Sequence, residues 1–262
     1  MAYSHQRVRR LRRLLQKRVT RWSERAFVAE GIEVVHCGLE AGSVPESLYV
    51  ADGHQSEREV ASLAAAALDR GSRVFQLGPG VADRVADTVT PHPVFGIFSM
   101  TDVELAQVPR PSLAVACVDV RDPGNLGTVL RTCDAAGVDV VLCCGGTVDP
   151  FNPKTVRSSA GSIFHVRLVV TADVTPAMEW LRSTGLTVYG TGAQGADYTS
   201  LDLTAPCAFV LGNESAGLPP ELRASLERTV AIPMAGRAES LNVGVACAVL
   251  CFEARRQRAG PR

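Results

Sequence analysis

The chain has no uninterrupted apolar run close to the ~18 residues that a membrane-crossing helix requires. Its basic amino terminus has no apolar core of the kind a secretory signal carries. A cytoplasmic location with no membrane partner is the expectation. None of the eight cysteines forms a C-x-x-C pair, so the common zinc frameworks do not apply and no metal is expected. Cys247 and Cys251 lie one helical turn apart and read as buried small hydrophobes. The turn at Asp122–Gly127 is not a G-x-G-x-x-G and no P-loop occurs, so that turn carries neither the usual dinucleotide nor the nucleoside-triphosphate signature. The histidines (His5, His36, His54, His92, His165) stand apart from the polar loops described below, so neither Ser/His/Asp nor Cys/His nucleophilic catalysis is indicated.

What is present is a 262-residue chain, 46% hydrophobic and 21% charged, long enough for one large globular domain or two ordinary ones. Its formal net charge is zero, yet residues 1–25 hold nine basic side chains against the single acid Glu24, a local excess of +8. Arg9, Arg10, Arg12, Arg13, Lys17 and Arg18 are the centre of this block. Such a patch is an electrostatic footprint for a polyanion, and its arginine content favours the phosphates of nucleic acid. Val8, Leu11, Leu14 and Leu15 recur at helical spacing among these residues and predict an amphipathic helix in a basic arm over 1–25.

Short α/β elements follow: helices over 26–41, 57–70 and 80–88, strands over 47–51 and 73–77, and an apolar stretch over 94–99. Two prolines in Val108-Pro109-Arg110-Pro111 favour an extended linker, placed at 108–112, between domains over 26–107 and 113–262. Beyond it the alternation is regular, with strands over 113–119, 138–144, 164–170, 186–190, 208–211 and 229–232. Helices over 126–136, 153–160, 175–183, 219–226 and 241–256 lie between and after them. That order predicts an α/β fold with a mainly parallel sheet covered on both faces.

Three polar segments each follow an apolar strand, where open α/β sheets place their ligands. The first is Asp122-Pro123-Gly124-Asn125-Leu126-Gly127 with Arg131, in which Asn125 reads as the cap of the following helix. The second is Leu211-Gly212-Asn213-Glu214-Ser215-Ala216-Gly217-Leu218, whose carboxylate needs a hydrogen-bonding or cationic partner. The third runs from Ile232-Pro233-Met234 to Glu239-Ser240-Leu241-Asn242, with Ser240 a candidate helix cap. From the residues alone they form the rim of a small-molecule pocket that fits a methyl donor, a nucleotide or a sugar.

At these residues the chain resembles the SpoU/TrmH family of RNA ribose methyltransferases, members of the SPOUT superfamily. More loosely, the first half is similar to the family's ribosomal-protein-L30-like substrate domain, with Phe27-Val28-Ala29-Glu30-Gly31 matching its opening. The resemblance implies S-adenosylmethionine as donor, the 2′-hydroxyl of RNA as acceptor (ribosomal RNA favoured), a deep trefoil knot and a homodimer through the carboxyl-terminal domain. It implies cofactor contacts from Thr191, Gly192, Ala193, Leu211, Gly212, Asn213, Gly217, Ile232, Pro233, Met234 and Leu241. It makes Arg131 the essential residue, with Asn125, Glu214, Ser240 and Asn242 completing the catalytic group. Lys154, Arg157 and Ser158 are expected to face RNA backbone. Competing readings are a transfer-RNA methyltransferase, a non-catalytic ribosome-assembly protein on the same fold, and a nucleotide-dependent oxidoreductase, disfavoured because the Asp122–Gly127 turn lacks the dinucleotide fingerprint.

Overall fold

The computed structural model describes residues 1–86 and 92–259. They divide into two compact units, one of residues 1–100 with 149–165 and the other of 101–148 with 166–262. No helix among the described residues is long and apolar enough to cross a membrane.

In the first unit the order is α1 (Gln6–Gln16), α2 (Arg18–Glu24), β1 (Ala26–Glu30), α3 (Ile32–Glu40), β2 (Ser47–Val50), α4 (Arg58–Asp69), β3 (Arg73–Gln76), α5 (Val81–Val85) and β4 (Val94–Ser99). The sheet order is β1-β4-β2-β3, with β4 antiparallel to both β1 and β2 and with β2 parallel to β3. The expected helix over 26–41 is corrected here. Residues 26–30 form a fully buried strand paired to β4, and Gly31 at φ +106 separates it from α3. Burial on both faces of β1 outweighs the helical spacing of its alanines. The expected helix over 80–88 ends at Val85, and its last positions, Asp87 and Thr88, lie outside the described residues.

Helix α1 is part of this unit's core rather than a separate arm. Its Val8, Leu11, Leu14 and Leu15 are buried with Val28, Tyr49, Leu77 and Phe95. Residues 149–165 also belong here. Asp149 accepts hydrogen bonds from Arg21 Nε and Nη2 at 2.8 and 2.6 Å, with both side chains 3% exposed. Phe151 and Phe164 pack on Phe27 at centroid distances of 5.0 and 5.7 Å.

The second unit holds β5 (Leu113–Val118), α6 (Pro123–Ala136) and β6 (Val140–Cys144) before α7 (Pro153–Ser158) of the first unit. It resumes with β7 (Leu168–Thr171), α8 (Val174–Ser183), β8 (Thr187–Asp197), β9 (Cys207–Leu211), α9 (Pro220–Ser225), β10 (Arg228–Ala231) and α10 (Val243–Arg258). Every pairing in its six-stranded sheet is parallel, in the order β10-β8-β9-β5-β6-β7. One face, with Ala114, Ala116 and Val118, packs on Ala177, Met178 and Leu181 of α8. Helix α10 packs against α6 and β9. The 108–112 stretch does not stand free between domains. Val108 is buried in this core with Val103 and Leu105 against it, and Val103 N donates to Leu168 O at 2.8 Å.

All eight cysteines are free thiols and seven are buried. Cys133 of α6 joins Cys247 and Cys251 of α10, with the three sulfurs within 4.8 Å of one another. Burial pushes the Cys117 and Cys133 thiols up, which keeps them protonated and unreactive.

If α1 is core, Leu11→Ala destabilises the fold by ~2–5 kcal/mol, as expected for a buried leucine. Arg9→Gln, on the exposed face of the same helix, changes stability by less than about 0.5 kcal/mol. Urea denaturation of the two variants checks the difference.

Candidate active site

The three polar segments end parallel strands β5, β9 and β10, so they emerge on the same side of the sheet. Local chemistry then shapes each one. Asp122, not Asn125, caps α6: its carboxylate accepts from Asn125 N at 2.9 Å, and Pro123 occupies the first turn. The Asn125 side chain is therefore free for tertiary bonds. Asn242, not Ser240, caps α10 and accepts from Gly244 N at 2.9 Å and Val245 N at 3.3 Å.

These two asparagines and Glu214 link the segments. Asn242 Nδ2 donates to Asn125 Oδ1 at 2.7 Å, and Asn125 Nδ2 donates to Glu214 Oε1 at 2.9 Å. Glu214 also accepts from Asp122 N at 3.1 Å and Arg121 N at 3.3 Å. Asn213 Nδ2 donates to Asp119 O at 2.9 Å. Partial burial pushes the Glu214 carboxyl up. The bonds from Asn125 and from the backbone of residues 214, 122 and 121 outweigh that and hold it below its ordinary range. Glu214 is an anion at neutral pH.

The loop after β9 is a tight hairpin in which Asn213 and Gly217 exchange backbone hydrogen bonds at 3.0 and 2.9 Å. A Cβ on Gly212 would lie 2.3 Å from the Gly217 carbonyl carbon, so only glycine permits this close approach. In β8, pairing with β10 breaks after Gly190 and resumes at Ala196. Residues 191–195 bow out between, and Thr191 Oγ1 donates to Val210 O at 2.9 Å.

A cleft of about 680 Å³ results, walled by residues 191–193, 211–218, 230–234 and 236–241 with Val243, Ala246 and Leu250 of α10. Thr191, Gly192, Ala193, Leu211, Gly212, Asn213, Gly217, Ile232, Pro233, Met234 and Leu241 all line it, as do Glu214 and Ser240. Asn125 lines a second cavity of about 660 Å³ with Asp119, Arg121 and Asp122, across the 213–218 loop. Arg131 lines neither. It is exposed on α6 and makes no hydrogen bond or ion pair among the described residues. Arg223 of α9 is the charged wall residue that sequence reading missed, while Arg237 and Glu239, within the third segment, line the cleft without having been given a role. Helix α9 buries none of its residues, so its periodicity gives no signal that Arg223 reaches a cleft.

Of the expected RNA contacts, Arg157 is committed elsewhere: its Nη1 donates at 2.7 Å to Glu30, whose side chain is fully buried. Ser158 Oγ donates to Lys154 O at 2.8 Å within α7. Arg10 is paired with Glu46 and Glu24. Arg13 lies 3.8 Å from Glu24, while Arg12 and Arg18 lie over the rings of Tyr3 and Trp22. Arg9, Arg12, Arg13, Lys17 and Arg18 are exposed, as is Lys154.

Fold and site together define an α/β protein with a loop-built cleft of mixed apolar and charged lining at the carboxyl ends of parallel strands. The SpoU rRNA Methylase family profile matches residues 112–252, and the MRM3-like substrate binding domain profile matches residues 5–96. The chain is 34% identical to the 23S rRNA (guanosine(2553)-2′-O)-methyltransferase RlmP of Bacillus subtilis, over 92% of this chain and 93% of that protein. The crystal structure of an AdoMet-bound rRNA methyltransferase from Sinorhizobium meliloti superposes with a TM-score of 0.85 at 36% identity, covering 97% of this chain and 95% of that one. A tRNA (guanosine(18)-2′-O)-methyltransferase of Thermus thermophilus is 41% identical, over 57% of this chain and 77% of its own. The chain belongs to the SpoU rRNA methylase family.

Because the folded-state pKa of Glu214 is depressed, its stabilising contribution is complete above its ordinary value of 4.5 and is lost as pH falls through the lower folded value. Glu214→Gln removes that dependence. The contribution is no more than about 1 kcal/mol, since the carboxylate is open to solvent. Melting curves of the two proteins therefore differ near neutral pH and converge on acidification.

Proposed function

We propose that this protein transfers the methyl group of S-adenosylmethionine to a ribose 2′-hydroxyl of 23S ribosomal RNA. The observation that carries this reading is the cleft formed by three hydrogen-bonded loops. Its volume suits a ligand of nucleoside size. Apolar side chains such as Leu211, Leu218, Ile232 and Leu241 suit an adenine ring, and exposed loop backbone can bond its edge. No phosphate-binding turn is needed for this donor, which supplies an electrophilic methyl on a sulfonium.

Within this reading Asn125, Glu214, Ser240 and Asn242 position the loops and the acceptor. The Arg131 guanidinium orients the hydroxyl and stabilises the oxyanion that develops there, with an RNA phosphate assisting removal of the proton. The apolar side chains Val245 and Phe252, both 47% exposed on α10, support a homodimer through the carboxyl-terminal unit, and the family resemblance extends to a trefoil knot there. The exposed cations of α1 and its neighbours bind RNA backbone, with Lys154 a further contact. The reaction needs no metal or membrane and is placed in the cytoplasm. Relatives matched along the full chain favour ribosomal RNA. The higher identity over the shorter transfer-RNA enzyme supports tRNA as second reading.

Mapping 2′-O-methyl groups in RNA incubated with protein and donor tests the substrate: one new site in 23S rRNA is expected. A wild-type protein that binds no donor at millimolar concentration by calorimetry sinks the proposal. Arg131→Ala lowers kcat by about 100-fold or more while leaving donor affinity unchanged, as for loss of a group that stabilises developing charge; unimpaired transfer removes Arg131 from the mechanism. Because α1 is core, the arm is tested by charge removal rather than deletion. Replacing Arg9, Arg12 and Arg13 with Gln reduces the salt slope of RNA binding by roughly 0.7–0.9 per lost phosphate contact, and an unchanged slope rules these residues out.

A further inference from the structure

Four charged residues line the donor cleft, and three are not used by the loop network: Arg223, Arg237 and Glu239. Arg223 Nη2 already donates to Gln194 Oε1 at 3.3 Å. Arg237 and Glu239 stand two residues apart in the loop between β10 and α10, and neither makes a hydrogen bond or ion pair among the described residues. Elsewhere charges meet partners, as in Arg10 with Glu46, Arg21 with Asp149 and Arg256 with Glu253.

Two unpaired charges of opposite sign on the wall of one concave cleft match a ligand that carries both signs. A polyanion is a poor match, because Glu239 and the ionised Glu214 would repel phosphates approaching Arg237. An uncharged nucleoside would leave both groups unused. We propose that Arg237 and Glu239 recognise the zwitterionic amino-acid end of S-adenosylmethionine, Arg237 taking the α-carboxylate through its planar fork and Glu239 the α-ammonium. This rests on the donor assigned above and adds the residues that distinguish the complete donor from an adenosine fragment.

Calorimetry of wild type, Arg237→Gln, Arg237→Lys and Glu239→Gln with two probes tests it. S-adenosylhomocysteine keeps the amino-acid end, whereas 5′-deoxy-5′-methylthioadenosine lacks it. Each Gln variant should bind S-adenosylhomocysteine about 10- to 100-fold more weakly, the range for loss of a charged hydrogen bond. Arg237→Lys should recover part of the loss. Affinity for methylthioadenosine should stay at the wild-type value, which also reports that the cleft is intact. Unchanged S-adenosylhomocysteine affinity in Arg237→Gln overturns the proposal, and so does an equal loss for both probes. Weakened RNA binding with unchanged S-adenosylhomocysteine affinity reassigns the loop to RNA and overturns it too. If wild type binds neither probe and no S-adenosylmethionine, the donor assignment itself fails, a result distinct from the others.

Discussion

The relay from Asn242 through Asn125 to Glu214 holds the site together. Each of the three loops, taken alone, is a surface connection whose polar groups could be satisfied by water. An asparagine side chain both donates and accepts, so two of them in series transmit a directed chain of hydrogen bonds that ends on a carboxylate. That carboxylate in turn collects the backbone N–H groups of residues 121 and 122. The first, second and third segments are thus fixed to one another by side chains that also start helices: Asn242 caps α10 while bonding Asn125. One side chain, Asn242, thus serves both the start of α10 and the assembly of the site.

This explains which parts were legible in the sequence. Glycine and asparagine types after apolar runs were enough to locate the three loops, because tight turns at strand ends demand them. The roles within the loops were less readable. Asn125 has the chemistry of a cap and stands at the head of a helical pattern, yet Asp122 takes that role with Pro123 behind it. The strand at residues 26–30 was hidden by alanine and by a helix-like spacing that only its pairing with β4 overrides. The allegiance of residues 149–165 was hidden for a different reason. It depends on Asp149 meeting Arg21 and on Phe151 and Phe164 meeting Phe27, contacts more than a hundred residues apart in sequence that no local pattern encodes.

The basic amino-terminal segment shows why a charge count misleads. Arg21 spends its charge on buried Asp149 and donates from Nη1 to Leu14 O and Leu15 O, so α1, α2 and residue 149 are joined at one guanidinium. Removing either partner would strand a buried charge, which is far costlier than losing a surface pair. Arg10 is shared between Glu24 and Glu46, and its pKa is raised chiefly by the Glu46 bond. The field available to a polyanion therefore comes chiefly from the exposed Arg7, Arg9, Arg12, Arg13, Lys17 and Arg18, with Arg13 shared with Glu24, a smaller set than composition implies. Arg157, which resembled a substrate contact, is likewise consumed by Glu30.

The two kinds of recognition then separate by charge logic. The exposed cations of α1 and its neighbours suit a polymer of phosphates, whose attraction is long in range and weakens with salt. The cleft mixes apolar walls with Glu214 and Glu239 as well as Arg223 and Arg237. Because hydrogen bonds keep Glu214 ionised, its field opposes any phosphate entering the cleft and favours a positively charged sulfur there. With Glu214 and Glu239 on its wall beside Arg223 and Arg237, the cleft has no net sign, and what it selects depends on where each charge stands.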